Sequence, residues 1–162
     1  MLDQETLKKY LNYDPDTGVL TWKVSRGRVK AGEVAGSLNK GGYRMIRLLD
    51  TKYYAHRLAW LYVHGEFPED HTDHINGVKD DNRIVNLRAV TEVENGKNLP
   101  IRKDNTSGLP GVYWSKRDQT WQVRVQTKHY GYFQSKFEAA ARSFSVYKEL
   151  GFHPNHGRPA ND

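Results

Sequence analysis

Apolar positions recur at helical spacing in only a few stretches of the chain and alternate at strand spacing in more of them. Residues 3–11 (DQETLKKYL) predict a short helix, with Asp3 as N-cap and Leu7, Tyr10 and Leu11 on one face. The DPDTG cluster at 14–18 predicts a turn leading into a strand, VLTWKV, at 19–24. Asp14 and Asp16 have the look of a calcium loop, but no bidentate Glu follows at the required distance, so the turn is preferred. YRMIRLL at 43–49, a DTK turn at 50–52 and YYA at 53–55 predict a hairpin. A helix is expected over 56–63, with Leu58, Ala59, Leu61 and Tyr62 inward, Gly65 as C-cap and Pro68 beyond it.

Residues 71–98 (HTDHINGVKDDNRIVNLRAVTEVENGKN) then predict a strand, a loop, a returning strand and a short helix. Thr91 and Glu94 match a capping box that starts this helix near residue 92. The basic, turn-rich RKDNTSG at 102–108 is expected to be a linker. Three strand-like runs fill 111–136, and a helix follows over 136–150. Its predicted cap is Ser135 with Glu138, and its predicted apolar stripe is Phe137, Ala140, Ala141, Phe144 and Tyr147. Residues 152–162 lack periodicity and are expected to be mobile. The domains so predicted are 1–101, with a core at 54–98, the linker 102–108, a second domain at 109–151, and the tail.

Composition narrows the choice of function. Apolar residues are 37% of the 162, while ten Tyr and four Trp supply aromatic surface for thin cores or for stacking. With no Cys, disulfides and thiolate zinc sites are excluded. No segment has the length or apolarity of a membrane span or signal peptide, so the expectation is a soluble cytoplasmic protein with no membrane partner. The net charge of +6 is uneven: residues 1–100 hold 15 Lys/Arg against 14 Asp/Glu, and residues 101–162 hold 10 against 5. A basic second half suits a polyanionic partner. Residues 25–42 are rich in Gly and basic residues, and Arg26, Arg28 and Lys30 are candidates for phosphate contact.

The chemistry lies in 71–98. Hydrolysis of a phosphodiester requires a base to take a proton from water and a positive charge to neutralise the leaving 3′ oxygen. A neutral imidazole suits the first task, and a hard divalent cation held by oxygen ligands suits the second. Asp73 offers a carboxylate, His74 an imidazole and Asn95, in the first turn of the expected helix, an amide oxygen. Asn86, twelve residues after His74, falls on the returning strand, where its amide can hold the imidazole in one tautomer. Strand alternation sends Asp73 and His74 to opposite faces unless a bulge intervenes.

These residues, with the Asn82-Arg83 pair, Asn86-Leu87 and Glu94-Asn95, make residues 54–98 resemble the HNH nuclease family. The likeness is to its phage and intron-encoded homing branch, whose last ligand is Asn. The resemblance implies a ββα-metal unit in which Asp73 and Asn95 ligate one Mg²⁺ or Mn²⁺ ion. It further implies that His74 is the general base and Asn86 orients it. It gives His56 and Arg57, in the HRLAW run at 56–60, a structural role.

Residues 107–151 carry SGLPGVYW, WQVRV, YGYF and FEAAARSFSVYKELG in that order, and resemble the plant APETALA-two/ethylene-response-factor DNA-binding domain. That implies a three-stranded antiparallel sheet packed on one helix. Alternation places Val112 and Trp114, then Trp121, Val123 and Val125, against the helix. Tyr113, Ser115, Arg117, Gln122, Arg124 and Gln126 are left on an outer face suited to base edges and phosphates. The expected fold class is therefore α+β. The expected function is a metal-dependent, site-preferring endonuclease of homing type acting on double-stranded DNA, as a monomer or homodimer. Its rivals are a DNA-binding regulator that does not cut and a less selective phage nuclease.

Overall fold

The computed structural model describes residues 2–159, which form a mixed α+β chain divided into two compact units, 1–92 and 93–162. None of the described helices is long and apolar enough to cross a membrane.

The first unit opens with helix α1, Gln4–Tyr10, whose start is fixed as expected: the Thr6 N–H donates to Asp3 Oδ1 at 2.7 Å. A short strand not anticipated from the sequence, β1 (Leu11–Tyr13), pairs antiparallel with β2 (Leu20–Trp22) across the DPDTG turn. Strand β3 (Ser37–Leu38) edges a sheet completed by β4 (Arg44–Leu48) and β5 (Thr51–Tyr54). The tight turn between β4 and β5 is Leu49-Asp50, both left-handed at φ 48° and 62°, rather than the DTK triplet. Two consecutive positive φ values match the twist of a two-residue hairpin, but Leu gives no sequence signal for them.

Helix α2 (Ala55–His64) follows directly and ends at Gly65 in the left-handed region, with the Gly65 N–H on Leu61 O at 3.0 Å. Leu7, Leu11, Leu20, Ile46, Leu48, Leu58 and Leu61 are buried together, so α1, the two sheets and α2 share one core. On the chain beyond it, β6 (His71–His74) pairs antiparallel with β7 (Leu87–Val90), joined by a loop that ends in a 3-10 turn, Ile84–Asn86. Helix α3 (Glu92–Gly96) starts where the capping pattern placed it.

The second unit holds β8 (Val112–Ser115), β9 (Thr120–Val125), β10 (Lys128–Phe133) and helix α4 (Lys136–Glu149). The strands form one antiparallel sheet in the order β10-β9-β8, and its inner face (Val112, Val123, Val125) packs on Ala139 and Val146 of α4. Ser135 caps α4 by accepting from the Phe137 N–H at 3.1 Å. The buried stripe of α4, however, is Ala139, Ser143 and Val146, and Phe137 and Phe144 are 82% and 55% exposed. The predicted stripe is thus rotated. The Ser143 hydroxyl donates to Pro110 O at the foot of β8, a polar anchor that an apolar count cannot see.

Two further expectations change. Residues 102–108, expected to be a linker, form a locally bonded loop: Asn105 Oδ1 accepts from the Ser107 hydroxyl and the Gly108 N–H, and Arg102 pairs with Asp104. The segment 152–159 is tied down rather than loose, because Ile101 N–H reaches Arg158 O, Gly157 N–H reaches Leu99 O and His153 N–H reaches Lys97 O. Phe152 and His156 also pack on Tyr147. The expectation for residues 160–162 lies outside the described residues.

Candidate active site

The register of β6 and β7 sets the geometry. The pairs His71–Val90, Thr72–Ala89, Asp73–Arg88 and His74–Leu87 are continuous, with no bulge. Asp73 and His74 therefore leave on opposite faces.

His74 points into an aromatic pocket and is only 3% exposed. The His56 ring meets it edge-on at 4.9 Å between centroids, and Tyr43 lies 6.0 Å away. His56 in turn stacks on Tyr54 at 5.2 Å. Burial is the main force lowering the His74 pKa below its ordinary value, opposed by the Asn82 hydrogen bond and the carboxylates of Asp73, Asp81 and Asp80. Burial, and then His74 itself, drives His56 down to about 3. Both imidazoles are consequently neutral at neutral pH.

The imidazole is oriented by Asn82, whose Oδ1 lies 3.2 Å from His74 Nε2. Asn82 Nδ2 donates to Asp80 O at 3.1 Å, which leaves only the amide oxygen to face the ring. The ring must then donate from Nε2, and Nδ1 becomes the basic nitrogen. Asn82 is held from several sides. Tyr13 Oη donates to Asn82 O at 2.8 Å, and Arg44 grips Asp80 through Nε at 2.9 Å and Nη2 at 2.8 Å. Gly18, at φ +74°, backs onto this loop so closely that a Cβ there would lie 2.4 Å from Arg83 N. The DPDTG turn is thus a buttress of the site.

The sequence pattern assigns the orienting task to Asn86 and loop bracing to Asn82. In the structure Asn82 bonds the His74 ring, and Asn86 bonds the loop. Asn86 ends the 3-10 turn, where its Oδ1 accepts from the Asn76 N–H at 3.0 Å and its Nδ2 donates to Asp81 O at 2.8 Å. Arg83 pairs with Asp81 through two bonds of 2.7 and 2.6 Å, which hold that carboxyl down to about 2. The sequence signal for Asn82 is its place in DDNR, directly after the acids that clamp the loop.

Asp73 faces Arg88 across the ladder: its Oδ2 accepts from Arg88 Nε at 3.0 Å and Nη2 at 2.8 Å. Among the described residues no group of three or more His, Cys, Asp or Glu converges as a metal site. The Asp73 carboxylate, one of three that act electrostatically on His74, has the hard character that fits a Mg²⁺-class ion keeping most of its water. Asn95 lies on α3 in the second unit, where its carbonyl oxygen accepts from the Asn98 N–H at 3.1 Å.

The proposed contact residues divide by position. Arg26 lies over the Tyr10 and Trp22 rings at 5.8 and 5.7 Å, while Arg28 and Lys30 are exposed. In the second unit Tyr113 faces Gln122 across β8–β9, and Arg124 faces His129 across β9–β10, on the outer side. Ser115 and Arg117 engage Asp118 at the hairpin end, and Gln126 occupies a left-handed turn position at φ 55°. They therefore stand at the sheet's ends. Trp114, expected inward, is partly exposed and packs on Trp121 at 5.1 Å. Two outer-face residues were missed: Tyr132, opposite Gln122, and His129, with ring centroids 4.3 Å apart. A bulge at Gly131, φ +130°, gives β10 the extra residue that turns both to one side.

Two strands joined by a loop, a buried oriented imidazole at the end of the first, and a short helix next in the chain define the sequence of elements of a ββα unit. Residues 53–97 match the model of the family described as HNH endonuclease. Protein 3.8 of Escherichia phage T7 is 37% identical over 71 residues, covering 43% of this chain and 59% of that protein. Among solved structures, the HNH homing endonuclease I-HmuI shows 26% identity and a TM-score of 0.46, over 60% of this chain and 55% of that one. The chain spans less than two thirds of the length of either relative.

Proposed function

We propose that the protein is a metal-dependent DNA endonuclease of the homing type, with His74 as the general base of phosphodiester hydrolysis. The observation that carries the reading is the Asn82-fixed tautomer of a buried, neutral His74, within a segment matching the HNH endonuclease model. His74 Nδ1 takes the proton from an attacking water, and Asn82 keeps Nε2–H in place as the ring becomes charged. The nearby Asp73, Asp80 and Asp81 carboxylates favour that charged ring as it forms. Asp73 is the proposed ligand of a single divalent ion, and Asn95, on the strength of its sequence position, a further oxygen donor. When bound, such an ion neutralises the charge growing on the leaving 3′ oxygen. The products would be a 5′ phosphate and a 3′ hydroxyl.

The outer face of the second unit's sheet (Tyr113, Gln122, Arg124, His129, Tyr132) is the proposed reader of double-stranded DNA, with Arg28 and Lys30 on phosphates. The name of the structural neighbour describes binding and cleavage of DNA by that protein, and the same substrate is proposed for this one. The test is conversion of supercoiled plasmid with and without Mg²⁺. His74→Ala is expected to lower nicking by about 10²–10⁴-fold while duplex affinity stays near wild type. Nicking by the variant at the wild-type rate sinks the assignment.

A further inference from the structure

We infer that Arg88 is the resident counter-charge of Asp73, and that it sets by competition how tightly this carboxylate takes a divalent cation. The inference rests on the reading of Asp73 as an ion ligand. The two residues are direct partners in the β6–β7 ladder, so the backbone register holds the guanidinium against the carboxylate. Both donors converge on one oxygen, Nε at 3.0 Å and Nη2 at 2.8 Å. Side-chain exposure is 11% for Asp73 and 30% for Arg88. This pair is more enclosed than surface pairs such as Arg102–Asp104, at 82% and 69%, and its charge-assisted bonds are correspondingly less weakened by water.

A divalent ion on Asp73 meets a positive charge already in contact with its own ligand. Either the guanidinium withdraws or it stays and repels the ion. Both outcomes weaken the ion's hold, and at separations of a few ångströms the penalty exceeds a factor of about ten in affinity even with strong solvent screening. Arg88 thereby fills the electrostatic place of the ion and disfavours loading of free divalent cation. Because the guanidinium is the more exposed member of the pair, it is the one able to move away when the ion arrives.

The experiment uses the full chain and Mn²⁺ alone, without nucleic acid, with binding read from the fall in the free-ion EPR signal. Arg88→Gln is expected to bind Mn²⁺ about tenfold more tightly than wild type, and Arg88→Lys, which keeps the charge, to stay within about threefold of it. Asp73→Asn is expected to abolish this binding in either background. A second readout needs no variant: in arginine-labelled wild type, saturating Mg²⁺ should shift the Arg88 Nε–H resonance and speed its exchange with solvent. Unchanged or weaker binding by folded Arg88→Gln, or an Arg88 resonance indifferent to saturating Mg²⁺, overturns the competition. If Asp73→Asn binds as well as wild type, the ligand reading itself falls, which is a different failure from that of the competition alone.

Discussion

At the scale of single residues, the site is a problem of holding one imidazole neutral and in one tautomer. Asn82 solves it through an amide whose other end is occupied by Asp80 O. Replacing Asn82 with Asp puts a carboxylate against Nε2–H, which favours imidazolium and raises the His74 pKa. The acid limb of the rate-against-pH profile should then move to higher pH, with the plateau rate on the alkaline side largely kept. An unmoved limb would remove Asn82 from this role. His56 makes a separate pH prediction. Its folded-state pKa, about 3, lies below the ordinary value of 6.5, so between these values the unfolded chain binds a proton that the native chain does not. Stability should fall as pH drops below about 6.5, by up to ~1.4 kcal/mol per pH unit for one such group. His56→Gln should flatten that dependence in urea titrations, leaving the part due to His74. The candidate base was legible in the sequence because an Asp-His pair ahead of a polar loop is a distinctive pattern. The Asn82 contact was not, because NGVKDDNR reads equally well as any polar hairpin loop.

At the scale of elements, periodicity found α1, α2, α4 and the three strands of the second sheet, since each buries a face wide enough to leave a pattern. It misjudged faces where small or polar residues carry the packing. On α4 the inward positions Ala139, Ser143 and Val146 are two small residues and one Val, while two Phe residues stand outside. The larger apolar side chains drew the predicted stripe toward them. Val146→Ala should therefore cost about 2 kcal/mol, as removal of buried methyls does, and Phe137→Ala less than about 0.5 kcal/mol, in chemical denaturation of the second unit. Comparable costs from both would restore the predicted face. The bulge in β10 escaped for another reason: Gly131 permits a left-handed residue inside a strand, and strict alternation has no place for an added residue. On a strand of strict alternation, His129 and Tyr132, three residues apart, would lie on opposite faces.

At the scale of the whole molecule, the division falls after Glu92 and not in the basic stretch at 102–108. Turn-forming composition marks a loop, but whether a loop is a linker depends on what it bonds to, and here residues 97–101 pair with 153–158 far along the chain. The revised boundary leaves the charge asymmetry read from the sequence unchanged. Residues 93–162 hold 11 Lys/Arg against 6 Asp/Glu, and residues 1–92 hold 14 against 13. On the proposed function, the side chains of the outward sheet face should govern sequence preference, and the exposed cations of the first unit should add affinity without preference. Fluorescence anisotropy on a preferred and a scrambled duplex, across a salt series, separates the two. Arg124→Ala should shrink the gap between the duplexes, by about 1–3 kcal/mol if the guanidinium reads a base edge. Arg28→Ala and Lys30→Ala should weaken both duplexes equally and reduce the slope of log affinity against log salt by about 0.9 for each phosphate left unneutralised. A gap untouched by Arg124→Ala would take sequence reading away from this sheet face, and a salt slope unchanged by the other two would take the basic segment at 25–42 away from the phosphates.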